Sequence, residues 1–564
     1  MRLCQKIVAA WLLSILMAAP PALPAHGDDD PAGETAPPNR VLGEISFPTA
    51  TDSAEAQAAF IQGMLLLHLF EYPFAREQFQ RAQQLDPELA MAYWGEAMTH
   101  NHPIWDRQDL QAGRAALAKL GATPEERMSR VPVAREQGLL AALELLYGQG
   151  SKSERDQAYM RAMERLAAEF PEDHEVQLFY ALSLFGVRAG VRDTATYMLC
   201  TAIAQDVFSE NPRHPGAAHY LIHGVDDPVH AVLGLRAARA LGRMAPDAGH
   251  AQHMTSHIFM AVGMWNDVVG ANEAAVKVQN AMRAEHGEAS RHWGHYNFWL
   301  LYGYLQQGRE RDALALLEAA HDEAQADGLP PIEPLVLDAD GHPVTSVVQM
   351  WARYLIETRG WDSDVADWAF KTGDAFDPNL TVSFVKALLA AYGGLAARAS
   401  QFHEQFRGLS ASLRQELGRQ EETAPGDLLY LDRLEVMDLE LQAAIEMARG
   451  DMGRAVAQAR EASRLEGEMP YSFGPPFVDL PAAELLGDLL LASGKYADAV
   501  SAYELQLERS RLKARPQAGL VTALEKLGRA TEAAYHRGRL ERMKQRPGET
   551  DGEVAGEASA SGSR

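Results

Sequence analysis

From Ala54 onward apolar residues return every three or four positions, and almost nowhere do they alternate with the period of two that marks a half-buried strand. The pattern predicts helices throughout and an all-α chain. Glycines fall mainly between the apolar runs, at the turns joining one predicted helix to the next. Two stretches, Asp106 to Val131 and Gly328 to Val347, keep no such period and read as loops or irregular connections.

The runs also repeat. Phe60 to Pro87 carries Gly63, Tyr72, Ala75, Phe79, Ala82 and a closing Asp86-Pro87. Small residues at the glycine and alanine positions let two helices approach closely, while the aromatic residues fill the space between neighbouring pairs. The same order returns in Leu486, Gly487, Gly494, Tyr496, Ala499 and Tyr503, and in part at Gly528 and Ala533, at Gly450, Ala455 and Ala462, at Gly308, Ala313, Leu317 and Ala320, and at Gly263 and Trp265. This arrangement resembles the tetratricopeptide repeat (TPR) family over most of the chain. Ala92-Tyr93-Trp94-Gly95, His214-Pro215-Gly216-Ala217-Ala218-His219 and Pro475-Pro476 resemble motifs of a broad family of exported bacterial TPR proteins. The resemblance implies an α-solenoid of helix-turn-helix repeats in which the first helix of each pair lines a concave groove that takes a protein or peptide partner. Each pair has an apolar face it cannot bury alone, so stability comes from stacking on neighbours.

Ahead of the repeats, Arg2 and Lys6 precede an apolar run from Ile7 to Ala19 broken by Ser14, and a Pro-rich stretch ends near Ala25. A membrane helix needs roughly 20 apolar residues, so this reads as a secretory signal cleaved after Ala25. Export to the periplasm or beyond the cell follows, with no integral membrane segment left after cleavage. The divisions are a signal peptide 1–25, a leader 26–45, N-terminal repeats 46–130, middle helical repeats 131–327, irregular helical repeats 328–430, C-terminal repeats 431–545 and a Gly/Ser/Ala/Glu tail 546–564. With 77 acidic against 52 basic residues and a net charge of −25, the chain has no basic block to track a phosphate backbone, and nucleic acid is not expected as a partner. Cys4 leaves with the signal. Cys200 alone allows neither an internal disulfide nor a thiolate metal cluster, and it reads as a small buried hydrophobe.

Chemistry gathers in one place. Of 19 histidines, His214, His219, His223, His230, His250, His253, His257, His292 and His295 fall between positions 214 and 295. His219 and His223 stand four apart and share a helix face, as do His253 and His257, and the second pair follows the first by 34 residues, the TPR period. Equivalent positions on successive repeats should then face one another, with His250, His253, His257 and His295 turned to the groove. Imidazole suits zinc, copper or iron, so His214, His219, His223, His250, His253, His257 and His295 form a candidate metal site, with Asp226 as an oxygen ligand or as partner to a ring nitrogen. Tyr220 and Met254 follow His219 and His253, so the general-base glutamate of the His-Glu-x-x-His metalloproteases is missing. No nucleophile elbow, phosphate-binding loop or dinucleotide fingerprint is present.

Two neighbouring groups bear on the site. Trp293, Tyr296, Phe298, Trp299 and Tyr302 crowd the helix of His295, mostly as core, with a minority free to hold an apolar or aromatic ligand. Glu96, His100, His102 and Asp106 lie three or more repeats upstream, so sharing in the site requires strong curvature. The chain thus reads as an exported TPR scaffold binding a protein or ligand, with a His-lined metal site in its middle repeats. The alternatives are a metal-dependent hydrolase or oxidoreductase using the same histidines, and an envelope assembly factor in which they are structural.

Overall fold

Phe79, in the helix Tyr72–Leu85, sits between Gly63 of Ala54–His68 and Gly95 of Ala90–Met98, and a Cβ on either glycine would press into its ring. Tyr503 stands in the same relation to Gly487 and Gly519 near the other end. One aromatic residue therefore locks each helix pair to the next, and close packing leaves no room for a methyl group beside it. This unit repeats along a computed structural model that describes residues 40–187, 192–285, 287–337, 339–419 and 425–544. The expected signal peptide, the leader as far as residue 39 and the tail lie outside the described residues.

Among those residues, 24 α-helices follow one another, most packed on their chain neighbours as antiparallel pairs, in an all-α, TPR-like solenoid. A two-residue antiparallel pairing of Asn101–His102 with Arg107–Gln108 is the sole sheet described. The stretch from 106 to 131, expected as a loop, contains the helices Leu110–Leu120 and Pro124–Ser129. The apolar face of the first is short and built partly of glycine and alanine, the second is only six residues long, and side-chain caps from Asp109 and Thr123 start them. The second irregular stretch is a connection only up to His342, where the helix Pro343–Thr358 begins. No described helix is long and apolar enough to cross a membrane.

The stack bends until both ends touch its middle. The Val41 amide donates to Asp247 Oδ2 at 2.8 Å, the Glu44 amide donates to the Arg213 carbonyl at 2.9 Å, and Leu42 and Phe47 are buried. Residues 40–45, read from sequence as leader, are thus a strap on the middle repeats; so short an apolar anchor leaves no period to detect. From the other end, the Trp265 indole donates to the Leu512 carbonyl at 2.9 Å and the Ala514 amide donates to Gln306 Oε1 at 2.8 Å. Beside them, fully buried Lys513 bridges Glu357 and Glu484 at 2.8 and 2.7 Å. Cys200 is buried with a free thiol.

Candidate metal centre

Three consecutive helix pairs supply the site through their first helices, Pro215–Val225, Gly249–Val262 and His295–Gln306. Pro215 opens the first at a position where its missing amide costs nothing. Spacing of four then stacks His219 over His223 and His253 over His257. His219, His223 and His250 form one triad, and His253, His257 and His295 a second, each with its ligand atoms within 4.8 Å of one another. Four of the six are buried, while His250 and His295 are partly so. The triads abut: His223 faces His257 at 6.2 Å between ring centroids, and His250 faces His253 at 6.3 Å.

Outer hydrogen bonds fix which nitrogen points inward. His257 donates from Nδ1 to Asp226 Oδ2 at 2.6 Å, and His295 donates from Nδ1 to Asp340 Oδ2 at 2.8 Å. His219 donates from Nδ1 to the His68 carbonyl at 2.7 Å. His253 donates from Nδ1 to Asn272 Oδ1 at 2.7 Å, and the Asn272 amide nitrogen is committed to the Val268 carbonyl, which settles its orientation. A neutral imidazole carries one proton, so each of these rings presents a bare Nε2. Yet Nε2 of His253 and Nε2 of His257 stand 3.1 Å apart, and the His219 and His223 Nε2 atoms repeat that distance. Where both Nδ1 atoms already donate, as in His253 and His257, two lone pairs meet and repel unless a positive charge lies between them. Nε2 of His250 is buried without a hydrogen-bond partner.

Burial keeps His219, His223, His250 and His253 uncharged. It pushes His219 down to about 3, against the bond to the His68 carbonyl that favours its charged form, and it holds His223, His250 and His253 well below the ordinary histidine value. Neutral rings with inward lone pairs are the form in which histidine ligates a metal.

His214 and Asp226 take other places. His214 caps its helix, its Nδ1 accepting from the Ala217 amide at 3.3 Å, and its Nε2 donates to Glu175 at 3.1 Å. Glu175 is also bonded by His68 at 2.6 Å; burial raises its carboxyl, but the two histidines outweigh that and hold it below the usual range. This network is internally satisfied and separate from the six-histidine cluster. Asp226 lies just past its helix, supporting His257 from outside.

The upstream group does come near, because the solenoid curves, but through its aromatic neighbours. Trp105 meets His250 edge-on at 6.1 Å, Phe70 lies 4.4 Å from His219, and His102 stacks on Tyr72 at 3.9 Å. Glu96 is spent on Gln80, Gln83 and Lys119, and Asp106 on Lys152. Sequence reasoning missed Phe70, Trp105, Glu71, whose carboxylate accepts from the His250 amide at 3.0 Å, and the supports Asn272 and Asp340. A buried asparagine facing a predicted histidine helix was the one available signal.

A cavity of about 320 Å³ opens against the cluster, with His223 and His250 of one triad and all of the other in its wall. Trp299 stacks on His257 at 4.3 Å and Phe473 lies 5.4 Å from the same ring. Gly474 follows with φ +96°, where a Cβ would strike the Trp299 indole, so the Ser472–Phe477 strap can lie flat on the site.

No protein-family model and no curated protein matches the chain. Solved structures similar to it include a human IFIT1 dimer with m7Gppp-AAAA (12% identity over 88% of this chain and 91% of that one, TM-score 0.33). Others are the P58(IPK) TPR domain (13%, 85% and 100%, TM-score 0.20) and yeast Tom70 (11%, 90% and 93%, TM-score 0.25). Likeness this loose carries no argument about activity. The chain's own helix pairs make it an all-α, TPR-like solenoid.

Proposed function

We propose that the middle repeats bind two transition-metal ions, one in His219, His223 and His250 and one in His253, His257 and His295, and that the solenoid presents them to a small ligand in the adjoining cavity. The observation that carries this is the 3.1 Å contact between Nε2 of His253 and Nε2 of His257, both of whose Nδ1 atoms are already donating. Only a positive charge between the rings makes that arrangement favourable, and a metal ion satisfies the third histidine of each triad as well. Zinc, copper and iron all accept imidazole donors, and the carboxylate and carbonyl supports are those that metal-bound histidines ordinarily use. The apolar run 7–19 supports action outside the cytoplasm.

The test is elemental analysis of the untagged protein. Near two metal ions per chain are expected, with one lost in His253→Ala/His257→Ala and circular dichroism unchanged. Absence of metal after reconstitution with zinc, copper and iron would overturn the reading and leave a partner-binding scaffold.

A further inference from the structure

We infer that the two triads act as one dinuclear copper centre that takes up dioxygen, an inference that rests on the metal reading above. Three observations carry it. The first is distance. Rings of the two triads face each other at 6.2 and 6.3 Å, and five of the six histidines line the same cavity. With metal–nitrogen bonds of about 2 Å, ions in both triads lie within reach of one small bridging ligand, as in two-metal sites spaced at about 4 Å.

The second is donor type. Each triad is made of imidazoles alone, whereas hard divalent ions such as magnesium and manganese are held by oxygen. Nitrogen-only, three-coordinate sites suit monovalent copper, which, unlike zinc, can give up an electron.

The third is charge. Two carboxylates stand immediately outside the donors, Asp226 behind His257 and Asp340 behind His295. Two cuprous ions bring two positive charges, which these carboxylates balance. Two divalent ions alone would leave an uncompensated charge in a largely buried site, which is costly. Dioxygen removes that difficulty. Each copper gives up one electron, dioxygen gains the two, no proton moves and the oxygen–oxygen bond stays intact. The two cupric ions and the dianion they hold carry together the same charge as the cuprous pair did. The site therefore accepts a two-electron oxidation without changing its net charge. Trp105, Trp299 and Phe473 form an aromatic wall beside it.

The experiment loads the untagged full chain with cuprous ion under anaerobic conditions and then admits dioxygen. Expected are two coppers per chain, one dioxygen consumed per two coppers, and a cupric product whose electron paramagnetic resonance is largely silent because the bridged spins pair. His250→Ala and His295→Ala, each disabling a different triad, should each keep one copper, show its full resonance signal and lose the two-to-one uptake. Two bound coppers with signals integrating to two independent cupric ions, or with no dioxygen uptake, would overturn the dinuclear centre while leaving the metal reading intact. A folded chain that binds no copper and no other transition metal would sink both.

Discussion

Asp226 shows how one residue outside the ligand set governs those inside it. Its carboxylate holds the proton on Nδ1 of His257, and this directs the lone pair of Nε2 inward. Asp226→Asn keeps the size but weakens that hold, and removal of such an outer partner typically costs about 10- to 100-fold in metal affinity. Competition titration against a chelator should read that loss while the number of sites stays the same. Glu440 presents the opposite case, a charge without support. It is fully buried in the helix Pro425–Ala448, and neither carboxylate oxygen has a hydrogen-bond partner. Burial, with Glu466 and Asp479 nearby, pushes its pKa well above the carboxylate range. The folded chain then keeps a proton that the unfolded chain releases near pH 4.3, so stability falls as pH rises through the folded value. Glu440→Gln should raise the melting temperature more at pH 8 than at pH 5. An equal shift at both would contradict this account.

At the level of helices, the packing unit is an aromatic ring between two glycines. Gly95→Ala forces a methyl group into Phe79, and overpacking of this kind costs about 1–3 kcal/mol, read as a lower urea midpoint with the slope unchanged. The same unit explains what was legible beforehand. Gly63, Phe79, Gly487 and Tyr503 recur because local packing imposes them on every pair, and the paired histidines were visible because they ride on that period. The helices in 110–129 escaped notice because one has a short face rich in small residues and the other is only six residues long. Asn272 and Asp340 escaped for another reason: one comes from a second helix and the other from a connection, and no spacing rule ties either to the histidine it supports.

On the scale of the whole molecule, sequence repeats report contacts between neighbours, and nothing in them foretells how far the stack turns. The closure that brings Phe70, Trp105 and Phe473 against one cluster rests on long-range contacts without period, among them Val41 to Asp247 and Trp265 to Leu512. Lys513 adds a buried ion-pair network to these. Glu484, which burial alone would raise, is held low by Lys513, Arg515 and Arg359. Lys513→Met removes the cation that Glu357 and Glu484 share and leaves Arg353, Arg359 and Arg515 to hold them; taking one partner from a buried ion pair costs up to about 3–5 kcal/mol. The double variant with Glu484→Met should recover part of the loss, and a single variant as stable as the parent would show that the junction contributes nothing.

The bond from Trp265 to Leu512 joins residues far apart in sequence, and this bears on how the chain can change over evolutionary time. An open array gains or loses a repeat by duplication or deletion and sacrifices one neighbouring contact. Here an extra unit between those two residues would swing Leu512 off the indole, and one placed before Phe473 would also carry that ring away from His257. Divergence between these residues is therefore expected to run through substitutions and loop changes, with the number of repeats there held constant.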